Sequence, residues 1–363
     1  MKKALIINEG FSNNLGDQAI RESMMALLQD HHIHTDFAYF TNPGMPGLPV
    51  YNYLGATAGA ITPPALSLRK KTRLKLVWLY WIGINFKYIR TKLQQGNYDM
   101  IVIGGGQLIE SSGKNYPSRF AIALYWWTFL AKKYSRAKIY LIGVGVGTTF
   151  NKKEQQLFAK ALAKADLIWV RDTFSQASLQ EKFGHKAWLT PDIAFYNEQN
   201  KIVGQPAMKK ALVGITSYNE VFAKYNLPGK TSTDYYEEWW AVVKDYMSQG
   251  LLVELFYTTL SDAAETMAFR DYVQQHYQLA LPVASLASVK DLSVLYQSAS
   301  EVYSGRMHAL ILAMKHRCNV KAYLISQKLK SFHQEYILPG NQPVEYSRKI
   351  KGAFHELLEH NVK

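Results

Sequence analysis

The sequence predicts an α/β protein made of two doubly wound, Rossmann-like domains. Short apolar runs alternate with helical stretches along most of the chain, and such alternation builds a parallel sheet covered on both faces. Glycine-rich turns stand directly behind several apolar runs, where an open α/β sheet binds its ligands. A polar stretch over residues 196–206 interrupts the alternation, which then resumes. The 363 residues therefore divide into 1–200 and 201–363, in keeping with roughly 100–200 residues per domain.

Residues 4–8 read as the first buried strand, followed by a polar loop and a helix over 17–29. Residues 33–40 read as a second strand. The passage Asn42-Pro43-Gly44-Met45-Pro46-Gly47-Leu48-Pro49, with 56–64 behind it, is a loop by its turn chemistry. Long loops in compact domains are often functional. Residues 100–103 form a strand running into Gly104-Gly105-Gly106, and 138–142 a strand running into Gly143-Val144-Gly145-Val146-Gly147. Residues 167–170 end at Arg171-Asp172, and 186–189 lead to Thr190-Pro191-Asp192. Beyond the linker, strands are expected at 211–216, 251–256, 301–303 and 320–325. Helices are expected near 233–247, 263–276, 289–297 and 307–315. A last helix, about 347–359, is free to pack back across the first domain. No internal repeat or low-complexity segment is visible.

Forty-two Lys and Arg face twenty-eight Asp and Glu, a net charge of +14. Such an excess favours polyanionic partners. No helix-turn-helix, zinc-finger or RNA-binding aromatic signature accompanies it, so nucleic acid is not the expected partner. The single Cys318 excludes a disulfide framework and a cysteine-built zinc site, and its apolar setting makes it a core residue. His31-His32-Ile33-His34 has no carboxylate cluster beside it, so no metal site is expected. The N-terminal apolar run is too short for a secretory signal, and no window reaches the roughly 18 apolar residues of a span. The expectation is a cytoplasmic protein. The segment from Arg69 to Arg90 is basic at its ends and rich in Trp and Tyr between them. It reads either as a helix lying on an anionic membrane or as a core helix with solvated ends.

The chemistry is expected at strand ends. The stretch Ser304-Gly305-Arg306-Met307-His308 turns a strand into an apolar helix. A helix start exposes unpaired N–H groups and a partial positive charge, and Arg306 and His308 make it an anion site. A buried arginine without an anion costs several kcal/mol, so Arg306 has either an acidic partner or an anionic ligand. Asp17 is either a helix cap or a cleft carboxylate that deprotonates a hydroxyl, with Asn14 bonding the same substrate. Arg171 either pairs with Asp172 or a helix end, or points into the cleft as a fork for carboxylate or phosphate. Asp192 carries the same ambiguity. Gly104–Gly106 lets backbone approach a ligand, whereas Gly143–Gly147 reads as tight packing. No Walker loop or dinucleotide fingerprint is present.

Six motifs in order resemble those of the polysaccharide pyruvyl transferase family. They are Asn14-Leu15-Gly16-Asp17-Gln18-Ala19, Gly104-Gly105-Gly106-Gln107, Gly143-Val144-Gly145-Val146-Gly147, Arg171-Asp172-Thr173-Phe174-Ser175 with Leu179, Asp192-Ile193-Ala194-Phe195, and Ser304-Gly305-Arg306-Met307-His308-Ala309. Gln18 stands where the family commonly has an acid, and Ile325–Phe332 follows the usual Tyr-Asp-x-Lys-x-x-x-Phe pattern only loosely.

The resemblance implies a GT-B-like arrangement, two domains facing across a cleft with the site between them. The first domain would take the acceptor and the second phosphoenolpyruvate. The reaction implied is transfer of the carboxyethylidene group of phosphoenolpyruvate onto two hydroxyls of one sugar. It yields a cyclic ketal and phosphate, with no cofactor beyond this co-substrate. His308, Arg306 and Asp17 are the expected catalytic residues. Arg171, Asn14, Gly16, Gly105, Gly106, Gln107, Asp192, Ser304 and Gly305 are the expected substrate contacts. A lipid-linked sugar acceptor at the inner membrane face would give the segment Arg69 to Arg90 its purpose. Two rival readings share these features: a GT-B glycosyltransferase using a nucleotide sugar, and a non-catalytic anion-binding protein.

Overall fold

The computed structural model describes residues 2–10, 12–43, 77–114, 116–196, 209–219, 230–340 and 343–360. The Pro/Gly-rich loop beyond Pro43, the basic half of the Arg69 to Arg90 segment, and the linker beyond Tyr196 lie outside them.

The first sheet contains β1 (Lys3–Asn8), β2 (His34–Tyr39), β3 (Met100–Ile109), β4 (Lys138–Val146), β5 (Leu167–Val170) and β6 (Trp188–Leu189). Its order is β2-β1-β3-β4-β5-β6, and every pairing is parallel. The helices of this half are α1 (Leu15–Asp30), α2 (Val77–Gln95), α3 (Arg119–Tyr134), α4 (Lys152–Leu162) and α5 (Thr173–Phe183). Strand residues alternate between two cores, with Ala4 and Ile6 in one and Leu5 and Ile7 in the other. That is why the strands read as unbroken apolar runs.

The second sheet contains β7 (Lys210–Gly214), β8 (Leu252–Phe256), β9 (Glu301–Ser304) and β10 (Asn319–Ala322), in the parallel order β10-β9-β7-β8. Helices α6 (Ser232–Ser248), α7 (Leu260–Tyr277), α8 (Val289–Gln297) and α9 (Met307–Lys315) flank it. Helices α10 (Gln327–Phe332) and α11 (Pro343–His360) follow. The last helix crosses back to the first half: Phe354 meets His31 and Trp169 edge-on, and Lys351 pairs with Asp30.

Two strands run further than the sequence suggests. β3 continues through its glycine triplet to Ile109, and β4 continues through Gly145 to Val146. Gly105 sits at φ +78°, and a Cβ there would meet the Ile20 side chain at 2.0 Å. Only glycine accepts both that conformation and that contact. The β3–β4 register holds through the triplet and shifts only between Gly106 and Ile109, so the triplet lies within a strand and is not its end.

The halves are joined by packing and by hydrogen bonds. A single apolar cluster includes Leu15, Met24 and Leu27 of α1 with Leu310, Ile311 and Met314 of α9 and Phe354 of α11. Leu15 N donates to Thr258 O at 2.9 Å, and Lys315 Nζ donates to the carbonyls of Ala194 and Tyr196. In each sheet the chain reverses direction beside its first strand: between β1 and β3 in one, between β7 and β9 in the other. Loops diverge at such points and leave a crevice outside the strand ends. Cys318 is buried among carbonyls, and burial pushes its thiol up to about 12, which keeps it inert.

Candidate active site

Both crevices contribute to one site. From the first sheet come the β1–α1 turn and the glycine segment of β3. Asn14 caps α1, its Oδ1 accepting from Gly16 N at 2.9 Å, so the side chain completes the helix start. Asp17, in the first turn of α1, accepts Ser12 Oγ at 2.9 Å. Gly106 lies beside it: a Cβ there would come 3.8 Å from Asp17 Oδ1.

From the second sheet comes the β9–α9 turn. Ser304 Oγ receives Arg306 N at 3.1 Å and donates to Gly214 O at 3.4 Å. Arg306 is the N-cap of α9 and gives it no side-chain cap. His308, one residue into that helix, is carried across to the first half. A Cβ on Gly16 would stand 2.8 Å from His308 Cβ and 3.0 Å from Nδ1. Glycine is therefore required at residue 16 for the two helix starts to meet.

The other imidazole nitrogen, Nε2, faces Asp192 Oδ2 at 3.4 Å. Asp192 is in turn held by Ala194 N at 2.9 Å and by Arg171 NH1 at 3.3 Å. Arg171 also gives Nε to Asp172 at 3.3 Å and NH2 to Gln107 Oε1 at 2.6 Å. Tyr336 OH closes over the Arg171 carbonyl at 2.7 Å. The sequence leaves Arg171 two fates, and the fold places it in the first. It is 1 % exposed, and its guanidinium is spent on Asp172, Asp192 and Gln107. In place of the expected substrate fork, Arg171 serves here as a strut under Asp192, its guanidinium buried against Gln107 and Gly145. Gln107, expected on substrate, gives its carbonyl oxygen to the same arginine.

Arg306 has an acidic partner too. Its Nε and NH2 grip Asp262 at 2.7 and 2.6 Å, a bidentate pair. Asp262 is fully buried and also receives Ser217 N at 2.9 Å. The Arg306 side chain, by contrast, stays 28 % exposed. Asp262 lies on the first turn of α7, whose cap Thr259 bridges Asn14, so this pair adjoins the start of α1.

The charges are coupled across the crevice. Burial pulls the His308 pKa below the ordinary histidine value, Asp192 opposes it, and Lys328 and Arg171 reinforce it. Burial raises Asp17, against His308, Ser12, Lys328 and Asn14. Burial would also raise Asp192, but His308, Arg171 and the Ala194 N–H outweigh it and hold the carboxyl well below the usual range. The result is an alternation of acidic and basic groups, Asp17, His308, Asp192 and Arg171, whose protonation states depend on one another.

Asn14, Gly16, Asp17, Gly106, Gln107, Asp192 and His308 are brought together around this array, with Ser304 and Gly305 forming the turn beneath it. Gly105 packs on Ile20 at the edge. Three residues the sequence reading passed over also stand here. Asp262 shows only an ordinary capping pattern in sequence. Lys328, on α10, acts electrostatically on both Asp17 and His308; its place in the loosely matching Lys-x-x-x-Phe pattern was the available signal. Glu9, the first residue past β1, carried the strand-end signal itself. Among the described residues no group of three His, Cys, Asp or Glu side chains is placed to hold a metal ion.

The model of the family described as polysaccharide pyruvyl transferase matches residues 14–320. No curated protein matches the sequence. Among solved structures, the UDP-GlcNAc 2-epimerase of Methanocaldococcus jannaschii is similar over 97% of this chain and 92% of its own, at 11% identity and TM-score 0.51. The E. coli heptosyltransferase WaaC, solved with ADP-2-deoxy-2-fluoro heptose, is similar over 88% of each chain, at 12% identity and TM-score 0.43. At these identities the likeness concerns the GT-B-like fold alone.

Proposed function

The chain belongs to the polysaccharide pyruvyl transferase family, and on that premise we propose that it moves the carboxyethylidene group of phosphoenolpyruvate onto two hydroxyls of one sugar. A cyclic ketal forms and phosphate is released, with phosphoenolpyruvate as the only co-substrate. The observation that carries this reading is the seating of His308, from the second half, between Gly16 and Asp192 of the first, with Asp17 coupled to it.

The donor has a carboxylate and a phosphate. The positive charges of the partly exposed Arg306 and of Lys328, with the first N–H groups of α9, offer it electrostatic and hydrogen-bond partners. The donor's negative charge offsets the cations that depress the His308 pKa, so the imidazolium is favoured once it is bound. A protonated His308 then acts as general acid toward the enol carbon or the leaving phosphate. Asp17 takes the proton of an attacking hydroxyl, and its raised pKa suits that task. Asp192, held by Arg171, fixes the imidazole orientation.

The acceptor proposed is a lipid-linked sugar at the inner face of the cell membrane. Support comes from the outer face of α2. Leu79, Tyr80 and Ile84 are exposed there, the last two about 61% and 60%, beside Lys87 and Arg90. Trp81, Ile89 and Leu93 meanwhile anchor the inner face. No helix among the described residues is long and apolar enough to cross a membrane, so contact through α2 would be peripheral.

The test is phosphate release from phosphoenolpyruvate with a panel of lipid-linked and synthetic glycosides. Acceptor-dependent release is expected, with His308→Ala and Arg306→Ala each slowed about 10²-fold or more. Protection against heat unfolding by a nucleotide sugar but not by phosphoenolpyruvate would replace this reading with a glycosyltransferase.

A further inference from the structure

Ketal formation makes an unusual demand, because two hydroxyls of one acceptor must each lose a proton. The C2=C3 double bond takes a proton at C3 as one hydroxyl oxygen bonds to C2, the bond from C2 to the phosphate oxygen breaks with its electron pair leaving on phosphate, and the second hydroxyl oxygen then bonds to C2. The two hydroxyl protons end one on C3, as the new methyl, and one on the departing phosphate. Asp17, once it has taken the first proton, is no longer a base for the second.

A second carboxyl stands beside it. Glu9 is the first residue after β1, at the carboxyl end where the first crevice opens. Its carbonyl receives Ser12 N at 2.8 Å, and Ser12 Oγ in turn holds Asp17 at 2.9 Å, so one short turn carries both acids. Glu9 Oε1 accepts Thr41 N at 2.9 Å from the end of β2. The groups around it are Asp17 from α1 and Tyr39 and Thr41 from the end of β2. Arg21 of α1 runs over Gly10 on the same turn. The Thr41 and Tyr39 side chains hydrogen-bond to the same carboxyl, and a glutamine would keep the Thr41 N–H bond while removing the ionisable group.

We propose that Glu9 and Asp17 form a two-carboxyl pair that receives the two acceptor protons, Asp17 from one hydroxyl and Glu9 from the other. This rests on the ketal-forming reading above and adds to it a residue and a requirement: the acceptor must present a diol to this turn. Burial, and secondarily the charge of Asp17, push the Glu9 carboxyl up to about 7 despite its hydrogen bonds. It therefore exchanges its proton near neutrality, where a base is most effective.

The experiment compares the full-length protein with Glu9→Gln and Glu9→Asp. Phosphate release with a diol acceptor is followed from about pH 5 to about pH 9, together with thermal protection by phosphoenolpyruvate. Glu9→Gln keeps the Thr41 bond and is expected to lose about 10²-fold or more in kcat. It should also lose the ionisation near pH 7 in kcat/KM for the acceptor, yet keep donor protection. Glu9→Asp should recover about tenfold of the loss. Turnover by Glu9→Gln within about threefold of the parent, with the same pH profile, overturns the proposal. So does loss of donor protection in step with turnover, which marks a structural role. Infrared difference spectra of the unsubstituted protein supply an independent arm. A protonated-carboxyl band should fade as pH rises through neutrality, and its absence overturns the proposal even if the variants do not fold. If the unsubstituted protein releases no phosphate with any acceptor, the ketal-forming reading fails first. Failure of the Glu9 variants alone leaves that reading standing.

Discussion

Arg171 and Arg306 stand on opposite walls of one crevice and are used in opposite ways. Arg171, on the first wall, is 1 % exposed and divides its donors among Asp172, Asp192 and Gln107. Arg306, on the second wall, gives two donors to one carboxylate and remains 28 % exposed. A guanidinium with all its edges on protein acceptors builds the site. One that holds a single carboxylate bidentately and stays 28 % exposed lies nearer the solvent side of the crevice. The first wall is thus a preorganised frame, and the second is the wall to which the proposed function assigns the donor.

The sharpest way to break this contrast is to remove each arginine. Arg171→Met leaves Asp192 and Asp172 buried without their cation and should cost about 3–5 kcal/mol of stability, measured by urea unfolding. Arg306→Met leaves Asp262 with the Ser217 N–H and partial solvent, and should cost about 1–2 kcal/mol. Its main effect should be a raised KM for phosphoenolpyruvate. Equal stability losses would erase the distinction.

Next in size is the contact between walls. Gly16→Ala sets a methyl 2.8 Å from His308 Cβ. Overpacking of that kind costs about 1–3 kcal/mol, and turnover should fall more than stability, because His308 is pushed away from Asp17. A thermal shift without loss of activity would show that the walls can part freely.

A smaller effect should appear in the pH dependence of stability. Glu9 is raised from its ordinary value near 4.5 to about 7. The folded state therefore holds this proton more tightly than the unfolded state. The contribution is fully favourable below about 4.5 and is lost as pH rises toward about 7. After allowance for partial exposure, this is about 2 kcal/mol. Glu9→Gln should accordingly gain stability over the parent at pH 8 relative to pH 5, even as it loses activity. Parallel pH–stability curves for the two proteins would contradict the raised carboxyl.

The smallest effect is expected far from the crevice. Ile84→Ser on the outer face of α2 should change stability by no more than about 0.5 kcal/mol, while weakening flotation with anionic liposomes at low salt. If flotation of the parent is absent, the exposed Leu79, Tyr80 and Ile84 have another use.

Much of this frame was legible beforehand. The helix α9 was expected at 307–315 and runs Met307–Lys315; α8 was expected at 289–297 and runs Val289–Gln297. Strong periodicity and flanking polar caps define such elements locally. The ends of β3 and β4 were misjudged because glycine is a turn signal by propensity, while here tight packing on Ile20 and Ile193 makes it part of a strand. At the candidate site, the sequence singled out Asp17, Asp192, Arg306 and His308 by their places at strand and helix ends. It did not reveal Asp262, which shows only an ordinary capping pattern, and it signalled Lys328 only through the loose Lys-x-x-x-Phe match.

What the sequence alone determined is therefore the alternation of strands and helices, the order of the motifs, and the placing of an arginine and a histidine at one helix start. These follow from preferences acting over a few residues along the chain. Only the tertiary structure decided which acid each cation meets. Arg306 finds Asp262 across 44 positions and His308 finds Asp192 across 116. Such distant pairs are set by how two sheets and their crossing helices pack, and no local preference encodes them.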